Sequence, residues 1–184
     1  MLYSNINHLK SKIESLEHII DDSKPTVVAL VETKLGEKEE IKIQGYKPLP
    51  MNRDKNGGGV MLLVRKEIQN ITVLIEKQTD IGEVMWVVIS NGRYNIRMGI
   101  VYAPQECKST VPQLKTMYKG IRNHVKEAKV KKQNLLIVGD FNCKIGGTIS
   151  GNTDEVTKGG KILADLVDKE DLKIINSSKK CKGL

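Results

Sequence analysis

The chain has 184 residues, 39% hydrophobic and 28% charged, and this composition predicts one globular domain over residues 1–184 with its own core. No apolar stretch approaches a bilayer span, no signal peptide opens the sequence, and the three scattered cysteines form no C-x-x-C pattern. These features argue against membrane, secreted and structural-zinc proteins and favour an intracellular one, nuclear or cytoplasmic. The net charge of +8, concentrated in residues 101–184, favours a polyanionic partner, of which nucleic acid is the commonest.

The first third of the chain predicts strands separated by one helix. Residues 1–5 form a short strand, and apolar residues at helical spacing between 9 and 20 form a helix that ends before Pro25. Residues 26–33, TVVALVET, form a continuous apolar strand that finishes on Glu32. Residues 52–59, NRDKNGGG, form a turn that leads into a strand over residues 60–65. The pattern indicates a β-rich first half.

The rest of the chain continues this alternation. Strands are predicted over residues 71–75, 84–89 and 94–102, followed by a helix over residues 111–131. The run LLIVGDFN, residues 135–142, is a buried strand that ends in polar residues, and a polar loop over 146–160 follows it. A helix over 161–169 and a strand over 173–177 complete the prediction. Strands interspersed with helices indicate a layered β core flanked by helices.

The helix over residues 111–131 has a basic face and an apolar face. Its cations step by four and three residues, at Lys115, Lys119, Arg122, Lys126 and Lys129. Such a stripe could bind a polyanion, but we favour a solvated outer face, because an apolar row lies beside it. His124 on this helix and His18 on the first one are expected at the surface.

Polar side chains follow four of the predicted strands. Asn5 and Asn7 follow the first strand, Glu32 ends the second and Tyr102 ends the strand before Pro104. Asp140 and Asn142 end LLIVGDFN, and strand alternation predicts that they project to the same side. A carboxylate and an amide together suit a hard divalent cation and a phosphate oxygen. Each ending alone is typical of a solvated strand end, but convergent endings indicate an active site.

The motifs, taken in order, resemble one known family. They are N-I-N near the start, V-E-T-K, G-G-G-V-M-L-L-V, V-Y-A-P and V-G-D-F-N. The chain is similar to the endonuclease/exonuclease/phosphatase superfamily, and within it most similar to the apurinic-endonuclease-like domains of non-LTR retrotransposons. The resemblance implies a DNase I-like α/β fold, a four-layer sandwich of two packed mixed β-sheets flanked by helices, here missing the last strands.

The resemblance also implies a metal-dependent phosphodiester hydrolase, by lineage a DNA endonuclease that nicks its target. Glu32 would ligate Mg²⁺ or Mn²⁺, and Asn7 stands where many relatives have a metal-associated aspartate. The catalytic residues would be Asn5, Tyr102, Asp140 and Asn142. Of these, Asp140 would polarise the attacking water or protonate the leaving oxygen. Lys34 would contact a phosphate of the substrate, although a plain surface charge is the alternative at that position.

One expected motif is absent, because no Ser-Asp-His triplet occurs in the 184 residues. Relatives carry that motif on a final segment, and its histidine contacts the scissile phosphate; His8 is more typical of a helix start. We therefore expect the chain as given to be weakly active or inactive. It would be a fragment of a polyprotein with reverse transcriptase, or a decayed copy. The alternatives are a non-catalytic nucleic-acid-binding remnant and a phosphatase of the same superfamily.

Overall fold

The computed structural model describes residues 1–52, 57–76, 82–148 and 155–176. Within these ranges lie eight strands and three α-helices. The strands are β1 (Leu2–Asn5), β2 (Val27–Val31), β3 (Tyr46–Met51), β4 (Val60–Arg65), β5 (Ile71–Glu76), β6 (Glu83–Ser90), β7 (Asn95–Tyr102) and β8 (Asn134–Asp140). The helices are α1 (Ile13–Ser23), α2 (Val111–Val130) and α3 (Lys158–Lys169), with short 3-10 turns at Leu9–Lys12 and Gly146–Thr148.

The described strands form two mixed four-stranded sheets. The first sheet has the order β1-β2-β4-β3, in which only the β1–β2 pair is parallel. The second sheet has the order β5-β6-β7-β8, in which only the β7–β8 pair is parallel. Strands β1 and β8, at the edges of their sheets, also contact each other across the two sheets. This contact brings the end of the first strand near the end of the last one.

Three hydrophobic clusters fill the space between four layers. One lies between α1 and the first sheet and includes Leu16 and Leu30. The second lies between the two sheets, where Ala29 and Met85 are fully buried. The third packs α2 and α3 on the second sheet around Trp86. The predicted four-layer sandwich of two mixed sheets flanked by helices is therefore confirmed. None of the described helices combines the length and apolar composition needed to cross a bilayer.

Several predicted elements differ from the structure. Strand β3 was not predicted; it contains Pro48 and Pro50, and it lies at a sheet edge, where proline is tolerated. The strand predicted over 173–177 is wrong for residues 173–176, which lie outside any strand, while residue 177 lies outside the described residues. Helix α3 begins at Lys158, inside the predicted loop, because Thr157 caps its N-terminus by accepting the Gly160 N–H. Residues 53–56 and 149–154 of the two predicted loops lie outside the described residues.

The strand that carries Asp140 is less buried than its sequence predicts. Residues 135–140 of β8 are half-buried rather than buried, because β8 lies at the edge of the described sheet and has only one neighbouring strand. A run of apolar residues indicates a strand, but whether a strand has one neighbour or two depends on distant segments.

Helix α2 has the two faces that its sequence predicts, with one exception. Lys115, Lys119 and Lys126 are exposed. Arg122 and Lys129 contact the carboxylate of Glu170, so the stripe is partly neutralised. The exception is His124, which was expected at the surface. That prediction is wrong, because the residue is buried.

His124 is only 6% exposed. Its ring stacks on Trp86, with 4.3 Å between ring centroids. The buried Arg97 guanidinium lies 2.7 Å from its Nδ1. Because a guanidinium can only donate, Nδ1 accepts this hydrogen bond. The polar partner that permits burial of the imidazole therefore comes from β7, which is not visible in the sequence of the helix.

Candidate active site

The ends of three strands meet through one amide group. Asn5, at the end of β1, donates through Nδ2 to Glu32 Oε1 at 2.9 Å and to Asp140 Oδ2 at 3.0 Å. Glu32 directly follows β2, and Asp140 is the last residue of β8. Two carboxylates that are distant in the sequence therefore share one donor, and Asn5 itself is exposed to solvent. A substrate can reach this site from outside.

Two tyrosines supply hydrogen-bond donors next to these carboxylates. Tyr102 pairs with Asp140 in the parallel register of β7 and β8. Burial, the charge of Glu32 and a hydrogen bond to Glu32 raise the pKa of Tyr102 to about 12. Burial, followed by the charges of Asp140 and Glu32, raises the pKa of Tyr3 further above its ordinary value. Both hydroxyls stay protonated at neutral pH and remain donors.

Sequence analysis missed Tyr3. It lies two residues before Asn5 in β1, so the two side chains leave the strand on the same face. That spacing was the signal that could have identified it.

Asn142 reaches the site by a different route from the predicted strand alternation. The chain leaves β8 at Asp140, and Asn142 has a left-handed backbone with φ of +44°. Its N–H donates to Asp140 Oδ1 at 3.0 Å, and its Nδ2 donates to the carbonyl oxygen of Ala103 at 2.8 Å. The backbone N–H of Asn142 therefore orients the Asp140 carboxylate. An amide nitrogen carries two protons, so the second proton of Nδ2 can still bind an anion.

Asn7 and Lys34 contact each other at the edge of the same site. The Lys34 ammonium donates to Asn7 Oδ1 at 2.5 Å and lies 3.8 Å from Glu32 Oε2. The structure thus brings both residues next to Glu32. The Asn7 side-chain oxygen is therefore a hydrogen-bond partner of the Lys34 ammonium.

Backbone conformation marks this region independently of the side chains. Eight described residues other than glycine have positive φ, and three of them, Lys24, Lys132 and Asp171, lie at or just beyond the C-terminal ends of helices, where this conformation is common. The other five cluster at the ends of β1, β2 and β8, and they are Asn7, His8, Glu32, Lys34 and Asn142. Such conformations cost roughly 1–3 kcal/mol each and concentrate at functional sites. The strain therefore supports the same location as the polar groups.

Sequence analysis also missed a buried carboxylate beside the site. Glu83, the first residue of β6, is 2% exposed and pairs with Tyr102 in the antiparallel register of β6 and β7. Its Oε2 accepts the N–H of Gly59 at 2.7 Å. A single glutamate before an apolar strand carries no sequence signal of burial, because such residues are usually exposed.

The donor set fits a divalent cation that keeps most of its water. Within the described residues, no three His, Cys, Asp or Glu side chains form a cluster able to hold a metal by themselves. Glu32 nevertheless presents a partly exposed carboxylate, and Asp140 presents a second one across the Asn5 amide. Mg²⁺ is commonly held by one or two carboxylates together with waters and substrate phosphate. These residues are therefore compatible with such an ion.

We compared the sequence and the structure with those of known proteins. A sequence model described as the Endonuclease/Exonuclease/phosphatase family matches residues 2–159. No curated protein sequence matches the chain significantly. Among solved structures, an AP endonuclease from Leishmania major is similar, with a TM-score of 0.70 and 13% identity over 91% of this chain and 65% of that chain.

Two further solved structures are also similar to this chain. A 3′ phosphatase from Neisseria bound to a product DNA hairpin has a TM-score of 0.68 and 15% identity over 90% of this chain and 69% of that one. Truncated TDP2 from Caenorhabditis elegans has a TM-score of 0.57 and 14% identity over 78% of this chain and 61% of that one. At these identities the likeness shows a shared fold and leaves the chemistry to the residues of the site.

Proposed function

The chain belongs to the endonuclease/exonuclease/phosphatase family, and on that premise we propose that it is a metal-dependent phosphodiester hydrolase acting on DNA. The observation that carries this proposal is the Asn5 amide, which links Glu32 and Asp140 from the ends of three strands. These two carboxylates share one donor at solvent-accessible strand ends, where they have no evident packing role. They suit a cation on one side and a polarised water on the other.

We propose Glu32 as the protein ligand of Mg²⁺ or Mn²⁺, with Asn7 beside it. Such an ion, when bound, neutralises charge on the phosphoryl oxygens. Asn5 holds the Glu32 carboxylate in one orientation through its hydrogen bond to Oε1. Asn7 would contribute its oxygen only after giving up the Lys34 ammonium, so Glu32 is the stronger of the two assignments.

We propose that Asp140 acts as a general acid or a general base during hydrolysis. A water oxygen bonds to phosphorus while the opposite phosphorus–oxygen bond breaks. Asp140 either takes the proton of that water, in which case solvent protonates the leaving oxygen, or donates a proton to the leaving oxygen, in which case solvent takes the proton of the attacking water. The N–H of Asn142 and the amide of Asn5 each bind one Asp140 oxygen, which fixes the orientation of the carboxylate. This orientation is what a positioned acid or base requires.

The remaining polar groups are proposed to bind the phosphate. Tyr102 supplies a hydroxyl that stays protonated, and Asn142 supplies the second proton of its Nδ2. Lys34 supplies a cation whose present partners, Asn7 and Glu32, are side chains of the same site. Donors of this kind stabilise the charge that develops on the non-bridging oxygens in the transition state.

DNA is the proposed substrate, and target nicking in a non-LTR retrotransposon polyprotein with reverse transcriptase is the proposed context. The net charge of +8 supports a nucleic-acid substrate, and the sequence motifs support this lineage. Because no Ser-Asp-His triplet occurs in the 184 residues, we expect cleavage by the chain as given to be slow.

Nicking of supercoiled plasmid tests the proposal. The wild-type chain with Mg²⁺ or Mn²⁺ is expected to convert plasmid slowly to the open-circle form, and EDTA is expected to abolish this conversion. Glu32→Gln and Asp140→Asn should each reduce the rate by about 100-fold or more, because each removes a charge used in the transition state. Glu14→Gln, the same change at an exposed position on α1, is the matched control and should leave the rate unchanged. Cleavage that survives both EDTA and Glu32→Gln would contradict the proposal.

Two other functions would give different results in the same assay. A non-catalytic nucleic-acid-binding remnant would bind DNA in a salt-dependent manner, without cleavage and with no effect of Asp140→Asn. A phosphatase would release inorganic phosphate from phosphoinositides or nucleotides in a Glu32-dependent manner while leaving plasmid intact. The paired carboxylates favour a hydrolase over binding alone, because a binding surface does not require them. A phosphatase shares these carboxylates, so the substrate assays separate it from the endonuclease.

A further inference from the structure

A buried hydrogen bond joins the two sheets beside the site. Glu83 belongs to the second sheet, and Gly59 immediately precedes β4 of the first sheet. The Gly59 N–H donates to Glu83 Oε2 at 2.7 Å, and the Glu83 side chain is almost fully buried. Burying a carboxylate costs several kcal/mol unless hydrogen bonds compensate. The fold therefore keeps a glutamate at a position where burial of its side chain is unfavourable.

The backbone beyond Gly59 leads to the Glu32 segment. The Gly59 carbonyl oxygen accepts the N–H of Thr33 at 3.1 Å, and the Gly58 carbonyl oxygen accepts the N–H of Lys34 at 2.9 Å. On the other side, the Glu32 carbonyl oxygen accepts the N–H of His8 at 2.9 Å. The segment is thus held from two directions while Glu32 and Lys34 both have positive φ.

No other residue type fits at Gly59. A Cβ there would lie 2.3 Å from Thr33 Oγ1, and φ is +89°. The close approach lets the glycine backbone sit directly against Thr33. Any shift of Gly59 therefore moves the residue next to Glu32, because the two backbones are in contact.

We propose that Glu83 is a positioning residue, which accepts the Gly59 N–H across the two sheets and thereby fixes the Glu32 carboxylate for the divalent cation. This inference rests on the proposed function, because it takes Glu32 as the metal ligand. Glu83 acts through Gly59 and the backbone of residues 32–34. Groups that orient a metal ligand from behind change metal affinity by about 10- to 100-fold when removed.

Mn²⁺ binding to the whole 184-residue chain, measured by the EPR signal of free Mn²⁺, tests the inference without relying on turnover. Glu83→Ala is expected to weaken Mn²⁺ binding by about 10-fold or more. Glu83→Gln replaces the carboxyl group by an amide whose oxygen can still accept the Gly59 N–H, so it should retain most of the affinity that Glu83→Ala loses. Asn91→Ala is the matched control, because Asn91 Oδ1 also accepts backbone N–H groups, beyond the opposite end of β6.

Hydrogen exchange of the same variants tests the structural route. In Glu83→Ala, the Thr33 and Lys34 amides should exchange about 10-fold faster or more, while amides of α2 keep their wild-type protection as evidence of folding. If Glu83→Ala does not fold, Glu83→Gln with near wild-type exchange and affinity supports the inference. Equal weakening of Mn²⁺ binding by the Gln and Ala variants would overturn it, because an acceptor for the Gly59 N–H would then make no difference.

The outcomes also separate this inference from the proposed function. Unchanged Mn²⁺ affinity in folded Glu83→Ala would refute the positioning role alone. Wild-type protein that binds no Mn²⁺ at millimolar concentration would refute the proposed function, and the role assigned to Glu83 would fall with it.

Discussion

Replacing Gly139 by alanine provides the sharpest test of how the site is built. Gly139 precedes Asp140 in β8, pairs with Val101 of β7 and has φ of +155°. A Cβ at this position would lie 2.0 Å from the Val101 carbonyl oxygen, whereas ordinary contact begins at 3.4 Å. The obstacle is the backbone of the neighbouring strand, so it cannot be relieved by a change of rotamer. The two strands must move apart.

The loss in the free energy of unfolding can be calculated from the interactions that this separation of the strands disrupts. Overpacking of this kind costs about 1–3 kcal/mol, and loss of a ladder hydrogen bond adds about 1 kcal/mol. We therefore expect Gly139→Ala to lower the free energy of unfolding by roughly 3 kcal/mol. With a urea m-value of about 2 kcal/mol/M, the midpoint would fall by about 1.5 M. The next pair in the register, Tyr102 and Asp140, would be displaced as well.

Urea unfolding followed by Trp86 fluorescence measures this loss, since Trp86 is the single tryptophan and is fully buried. Gly147→Ala is the matched control, because a Cβ at Gly147 would meet nothing within 4 Å. It should leave the midpoint within about 0.3 M of wild type. If Gly139→Ala unfolds at the same urea concentration as Gly147→Ala, the close approach of β7 and β8 described here is incorrect.

Two further predictions concern ionisable groups away from the site. Hydrogen bonds from Lys131 and Arg97 lower the pKa of Glu127 to about 2, so its stabilising effect is present above its ordinary pKa of 4.5 and is lost as the pH falls towards 2. The urea midpoints of wild type and Glu127→Gln should therefore differ slightly at pH 7 and converge near pH 2; a difference independent of pH would contradict this. Hydrogen bonds from a neighbouring serine and threonine lower the pKa of the exposed Cys107 to about 7, whereas burial raises that of Cys143. Maleimide labelling of the native protein at pH 7, mapped by peptide mass, should modify Cys107 much faster, and equal rates would refute the assignment.

Local sequence patterns identified most of the elements but few of their environments. Apolar and β-branched runs located seven of the eight described strands, because side-chain periodicity is a property of neighbouring residues. The edge strand β3 escaped detection, since its two prolines contradict the usual strand composition. His124 and Glu83 were missed as buried groups, because their partners Arg97 and Gly59 come from other parts of the chain.

For the site, the sequence by itself determined which polar residues stand at strand ends, because each strand and its ending are encoded locally. Only the tertiary structure decided that Asn5, Glu32 and Asp140 share hydrogen bonds, since this depends on sheet order and on the contact of β1 with β8. It also decided that Asn142 turns back on Asp140. The physical reason is that periodicity acts over a few residues, whereas convergence at a site is set by packing between segments more than 100 residues apart.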